Sequence, residues 1–260
     1  YKTNGCPDAN TEYLLYQTML GAWPIGIDRL WPFMEKAVRE AKRRTSWLAP
    51  NERFEMATRQ FIEFLYADTA FLRDFESFVQ PLVEPGRINS IALTLLKLTS
   101  PGVPDFYQGS ELWDLSLVDP DNRRPVDYSL RRRLLCQMQH LNVEQVWQRI
   151  DEGLPKLWTI YQGLRVCREH PQCFDQTGKY TPLVAEGSKA AHALAYLRGE
   201  DMLVLVPRLV LKLAGNWADT SIDVPPGTWR NELSGALVSG GSVGVADLLE
   251  AFPAALLIKQ

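Results

Sequence analysis

Asp105, Glu111, Asp114, Asp119, Asp121 and Asp127 fall in one stretch of this chain, together with Trp113 and the adjacent Arg123 and Arg124. Two carboxyl groups facing one cleft could do glycosyl chemistry, one protonating the leaving oxygen and the other attacking or activating water. A guanidinium fork beside them could bind vicinal hydroxyls or clamp an acid. Plainer roles fit the same residues. Asp121 between Pro120 and Asn122 is typical turn chemistry, because a short acidic side chain bonds backbone two residues on. Glu111 could pair with Arg123 or Arg124 simply to hold the loop, as ion pairs often do.

The other reactive side chains are less suggestive. His140, His170 and His192 each lack an adjacent Asp, and the spacing around His140 reads as a helix face. The four cysteines, Cys6, Cys136, Cys167 and Cys173, form no CxxC and no zinc-like spacing with histidine. Reduced thiols of a cytoplasmic protein are therefore expected, with no metal and no cofactor. A formal charge of −3 argues against a nucleic-acid surface. Lys42-Arg43-Arg44 and Arg131-Arg132-Arg133 read as solvated helix ends or faces. The apolar runs are too short to span a bilayer. The first residues, YKTNG, show no leader pattern and no Met, which suggests processing or a piece of something longer.

The elements that must carry these residues are mostly helical up to about residue 172. Asn10 is a candidate cap for a helix that stops near Gly21 and Pro24. Leu30, Met34, Ala37, Val38 and Ala41 mark a second helix, and Pro50-Asn51 opens a third with Phe54, Ala57, Phe61 and Leu65. Phe71, Phe75, Phe78 and Leu82 mark a fourth that is expected to end at Pro85-Gly86. These aromatic stripes could be imagined as a sugar platform, but at helical spacing they read as packing core. Asn89 is expected to cap a further helix through Ile91, Leu95 and Leu98, ended by Pro101-Gly102. Residues 103–107 read as a short buried strand, and the long polar loop from Gly109 to Pro125 as functional. Ser129 is a candidate cap for a helix with Leu130, Leu134, Met138 and Leu141. Asn142 starts a short helix, and a last one carries Leu157, Tyr161 and Leu164 up to His170-Pro171.

After Gln172 short apolar runs alternate with Gly, Pro, Asn and Asp, which predicts six to eight strands in a small antiparallel sandwich. The expected class is α+β, with residues 1–88 as a helical subdomain, 89–172 carrying the loop and its flanking helices, and 173–260 as the β-sandwich. With 46% apolar residues and eight Trp, 260 residues can build substantial cores.

The segment from Gly102 through Val103, Pro104, Asp105, Phe106, Tyr107, Gln108, Gly109, Ser110 and Glu111 resembles the last barrel strand of the α-amylase superfamily and the start of its loop. The continuation Leu112-Trp113-Asp114 and Asp119-Pro120-Asp121-Asn122-Arg123-Arg124-Pro125 is similar to maltooligosyltrehalose synthases. Tyr13 to Thr18, Gly21 to Pro24, Lys36 to Lys42 and Thr45-Ser46-Trp47 match that family's helical region. Gly227-Thr228-Trp229, Leu233-Ser234-Gly235 and Phe252-Pro253 resemble the closing β-sandwich. The resemblance implies that residues 89–172 hold the last strand/helix unit of a (β/α)8 barrel. It also implies an enzyme that converts the terminal α-1,4 bond of a maltooligosaccharide into an α,α-1,1 bond.

The family's nucleophile, acid and His-Asp pair lie upstream of the matched regions, and this sequence has no Arg-x-Asp and no His-Asp. No catalytic residue is therefore assigned, and the chain is expected to be inactive without a missing N-terminal catalytic half. Tyr107, Trp113, Asp121, Asn122, Arg123 and Arg124 are the expected wall of the sugar pocket. Two rivals remain. One is a non-catalytic glucan-binding or scaffold module that stacks sugar on Trp217 and Trp229, although Trp229 also reads as core. The other is part of an amylase-type hydrolase, against which the paired arginines of Asp-Asn-Arg-Arg-Pro count.

Overall fold

The structure is a computed structural model that describes residues 1–3, 5–175 and 178–260. The chain divides into two units. One comprises Tyr1–Val83 with Leu115–Pro125, the other Glu84–Asp114 with Val126–Gln260. The signature stretch is thus shared between them.

In the first unit, α1 (Ala9–Ala22), α2 (Ile27–Ala41) and α3 (Glu52–Ala67) pack around Leu15, Met19, Leu30, Met34, Phe61, Ile62 and Leu65. Asp8, not Asn10, caps α1, accepting from the Thr11 amide, so the helix starts two residues earlier than the sequence suggested. It ends at Ala22 because the residue before Pro24 is pushed to extended backbone, as Trp23 is. Lys42 closes α2 in the left-handed conformation. Asn51 caps α3 through the Phe54 amide. Trp23, Phe71 and Phe75 add their rings to this core, whereas Phe78, expected in the same stripe, is exposed.

The helix expected to stop at Pro85-Gly86 does not. α4 runs unbroken from Thr69 to Thr99, and Asn89 caps nothing. An interior proline removes one helical donor and frees the carbonyl four residues back. For Pro81 and Pro85 those carbonyls belong to Ser77 and Pro81, both solvent-exposed, where water can satisfy them. Core packing of Phe71 and Phe75 in one half and of Ile91, Ala92 and Leu95 in the other then overrides the weak local signal.

In the second unit, α5 (Tyr128–Met138), α6 (Val143–Gln148) and α7 (Leu154–Glu169) share a core of Leu112, Leu134, Met138, Val146, Leu154 and Leu157. Asp127 rather than Ser129 caps α5, through the Leu130 amide. Asn142 and Gln145 close a reciprocal capping box at α6. Residues 103–107 are not a strand. They belong to no helix or strand, and Val103 is almost fully exposed. A strand needs a neighbour for its backbone groups, and none of the described residues supplies one.

Beyond residue 178, β1 (Tyr180–Leu183), β2 (Ala193–Arg198), β3 (Met202–Pro207), β4 (Ser221–Asn231), β5 (Leu237–Gly244) and β6 (Ala255–Lys259) form a six-stranded antiparallel sheet in the order β1-β2-β3-β6-β4-β5. The expected two-sheet sandwich is therefore one curled sheet. β3 is buried along its whole length because both of its faces are covered. Met202, Val204 and Val206 pack towards Ile91, Leu95 and Val166. Leu203 and Leu205 face Ile222, Val224 and Trp229. The curl lets the sheet bury that second face against itself.

Candidate functional site

In the first unit the loop Leu115–Pro125 is built around one carboxylate. Asp121, only 7% exposed, receives Arg29 of α2 in a bidentate pair, Nε to Oδ1 and Nη2 to Oδ2, both 2.9 Å. The Leu117 amide donates to the same Oδ2 at 2.7 Å, and Arg29 Nη2 also donates to the Leu115 carbonyl at 2.8 Å. The hydrogen bond from Arg29, followed by that from Leu117, holds the Asp121 carboxyl below the usual carboxylate range against the cost of its burial.

One helical turn pair further along α2, Lys36 Nζ lies 3.0 Å from both the carbonyl and the carboxylate of Asp119. Lys36 likewise lowers the Asp119 carboxyl. Arg124 donates to the Asp121 carbonyl at 3.0 Å and to Ser116 Oγ at 3.2 Å, and Arg123 reaches Asp119 at 3.2 Å. The two guanidiniums nevertheless stay 68% and 52% exposed. Between them and Asp121, Asn122 keeps a buried Oδ1 with no hydrogen-bond partner among the described residues.

In the second unit a different arginine holds the other part of the stretch. Arg131 donates from Nε to Glu111 at 2.8 Å, from Nη2 to the Gly109 carbonyl at 2.5 Å and from Nη1 to the Asp127 carbonyl at 3.1 Å. Glu111 thus pairs with Arg131, not with Arg123 or Arg124, and Arg131 is a clamp rather than part of a solvated face. Gly109 has φ +92°, and a Cβ there would press on Val126 at 3.2 Å. The Trp113 indole N–H donates to the Ile150 carbonyl, with Arg87 over its ring. Lys156 donates to the Leu112 carbonyl at 3.1 Å, and burial, then Lys97, lowers its ammonium. Tyr107 is half exposed.

Of the expected wall, then, Asp121, Asn122, Arg123 and Arg124 come together in the first unit, and Tyr107 and Trp113 belong to the second. The loop acids are mostly engaged: Asp119 by Lys36, Asp121 by Arg29, Glu111 by Arg131, and Asp127 as a helix cap. Asp119 and Asp121 are pushed towards ionisation, the wrong direction for a proton donor. Arg29, Lys36 and Arg131 went unnoticed as site-builders because only the fold brings them to the loop from distant positions.

Trp217 and Trp229 are 8% and 0% exposed, and Trp229 donates to the Pro225 carbonyl at 2.8 Å. They are core residues and cannot stack on glucan. His140 is exposed, and His192 is buried near the Arg208 carbonyl. Among the described residues no group of histidines, cysteines or acids could hold a metal, and no helix is long and apolar enough to cross a membrane.

No family model matches the chain. The putative maltooligosyl trehalose synthases of Mycobacterium tuberculosis strains CDC 1551 and H37Rv are 39% identical to it over 262 residues, 98% of this chain and 32% of theirs. The structure of maltooligosyltrehalose synthase from Arthrobacter ramosus superimposes with a TM-score of 0.85 at 36% identity, covering 96% of this chain and 32% of that one. A hypothetical maltooligosyl trehalose synthase of Sulfolobus tokodaii superimposes with a TM-score of 0.73 at 29% identity, again over 96% and 32%. The chain thus spans about a third of the length of the relatives it matches. In sequence and in fold, these 260 residues are similar to about one third of a maltooligosyl trehalose synthase.

Proposed function

We propose that the chain is a C-terminal portion of an intramolecular transglucosylase that forms maltooligosyltrehalose, and that its clamped loop lines the pocket of the sugar being moved. In the complete enzyme the terminal α-1,4 bond breaks with formation of a covalent glycosyl-enzyme on an upstream carboxylate. The other sugar fragment stays in place, turns, and attacks through its anomeric hydroxyl, giving the α,α-1,1 bond. Atoms balance without water, so the pocket must retain the fragment and keep water out.

The observation that carries this reading is the loop Leu115–Pro125, whose side chains divide into two sets. Asp119 and Asp121 are gripped by α2, while Arg123 and Arg124 remain open to solvent. A sugar hydroxyl can accept from either of these exposed guanidiniums. Asp121 acts as a positioning residue. Residues 103–107 become the last strand of the barrel once upstream strands are present to pair with it, so that 89–172 completes the (β/α)8 unit. Cytoplasmic location follows from the same reading.

No described pair of carboxyls is poised for acid and nucleophile, so the 260-residue chain should not turn over maltopentaose. The test is incubation of pure chain with maltopentaose and assay for a non-reducing product; clear turnover overturns the reading. The hydrolase alternative predicts reducing ends instead, once the upstream part is restored.

A further inference from the structure

Trp47 keeps 55% of its surface exposed beside a set of fixed charged and polar groups. The Arg39 guanidinium of α2 lies 4.7 Å from the centroid of its ring. Arg39 is itself fixed by a bidentate pair to the buried Glu55, at 2.9 and 2.7 Å, and by Glu35 at 3.0 Å. The same Glu55 accepts from Thr45 Oγ1 at 2.5 Å, and Thr45 Oγ1 accepts from the Asn51 amide at 2.9 Å. Ser46 and Ala49 close the turn with two mutual bonds of 3.3 and 3.0 Å. A largely buried, hydrogen-bonded network thus holds the Arg39 guanidinium against a large solvent-exposed indole, which is how a ring-stacking site is preorganised.

Its place points to the ligand. Arg29, Lys36 and Arg39 lie within about 80° of one another around α2, and Lys36 and Arg39 are separated by about 4.5 Å along the axis. The first two grip the loop with Asn122, Arg123 and Arg124, and the third grips Trp47. One helix face therefore fixes both the polar sugar wall and the aromatic ring. Glu35, a third exposed, sits beside the same guanidinium and can accept from a sugar hydroxyl.

We propose that Trp47 is a stacking platform for a glucosyl ring of an α-1,4-glucan, a further subsite held by the same face of α2 that grips the Asn122–Arg124 loop. This rests on the reading that the chain handles a maltooligosaccharide. Arg39 is a positioning residue that acts through Trp47.

The test is calorimetric titration of the 260-residue chain with maltoheptaose, comparing wild type, Trp47→Ala, Trp47→Phe and the double variant Arg123→Ala/Arg124→Ala, with circular dichroism to verify folding. Trp47→Ala should weaken binding about tenfold and Trp47→Phe much less. Unchanged affinity in Trp47→Ala overturns the platform, as does a wild-type chain that binds no maltoheptaose; Trp47 would then serve as a polypeptide contact. Loss in Trp47→Ala with none in the double variant upholds the platform and refutes the loop as sugar wall. The reverse pattern refutes the platform alone.

Discussion

Arg29 and Asp121 show how much one pair can organise. The guanidinium bonds both carboxylate oxygens and a carbonyl, while the carboxylate also takes the Leu117 amide. Asp121→Asn keeps the shape but removes the charge, and should cost about 1–3 kcal/mol in urea unfolding. Its pH signature is distinct. Asp121, held low chiefly by Arg29, and Glu55, held low chiefly by Arg39, are depressed on folding. Such groups stabilise fully above their unfolded value near 4, and that stabilisation is lost as pH falls through the folded value. The urea midpoint should therefore drop below about pH 4, and Asp121→Asn should flatten the drop. An unchanged acid slope would deny Asp121 this role. The Asp and the two arginines were visible in the sequence as a cluster with chemistry in it. Their division into buried anchor and exposed contact was not, because it is made by Arg29, far away in the chain. The tryptophans teach the same lesson. Trp229, fully buried, should cost about 3–5 kcal/mol on truncation to Ala, and Trp47 within about 0.5, although both are simply Trp in the sequence.

At the scale of elements, helical periodicity located α1 to α3 and α5 to α7 well, because each buries one stripe. It failed at α4, where Pro85-Gly86 looked like an end. Proline ends a helix only when the groups it frees have nowhere to go, and here they face water. Pro85→Ala should therefore raise stability by about 1–2 kcal/mol, read as a higher urea midpoint. A lower midpoint would mean that α4 needs that proline. Gly153 makes the opposite case. It has φ +77°, and a Cβ there would sit 2.9 Å from the Trp113 amide nitrogen and 3.0 Å from Leu112 Cβ. Gly153→Ala should cost about 1–2 kcal/mol for the left-handed backbone alone, and more for the clash. It should also disturb Trp113 fluorescence, since the α7 start and the 112–113 backbone share that space. A mere turn glycine would change stability and leave Trp113 unmoved.

At the scale of the molecule, the difference between expectation and structure at residues 103–107 follows from what a strand is. The apolar pattern was legible, but a strand exists only through its neighbours, and the described residues offer this segment none. Six strands after residue 178 were legible as short apolar runs; that they curl into one sheet, rather than two, depends on β6 inserting between β3 and β4, which no local pattern encodes. The unpaired 103–107 edge and the lack, among the described residues, of poised carboxyls lead to the same experiment. A chimera in which this chain replaces the corresponding third of the Arthrobacter ramosus synthase should regain turnover, because the upstream strands would pair with 103–107 and the upstream acids would face the loop. Its products then report what the loop does. If Arg123 and Arg124 retain the turning sugar, Arg123→Ala/Arg124→Ala should raise the ratio of hydrolysis to non-reducing product several-fold, with bond cleavage less affected, since a leaky pocket lets water compete. If the arginines only support the loop, both products should fall together and the ratio should hold. A wild-type chimera that yields only reducing sugars would refute the isomerase reading and favour the hydrolase.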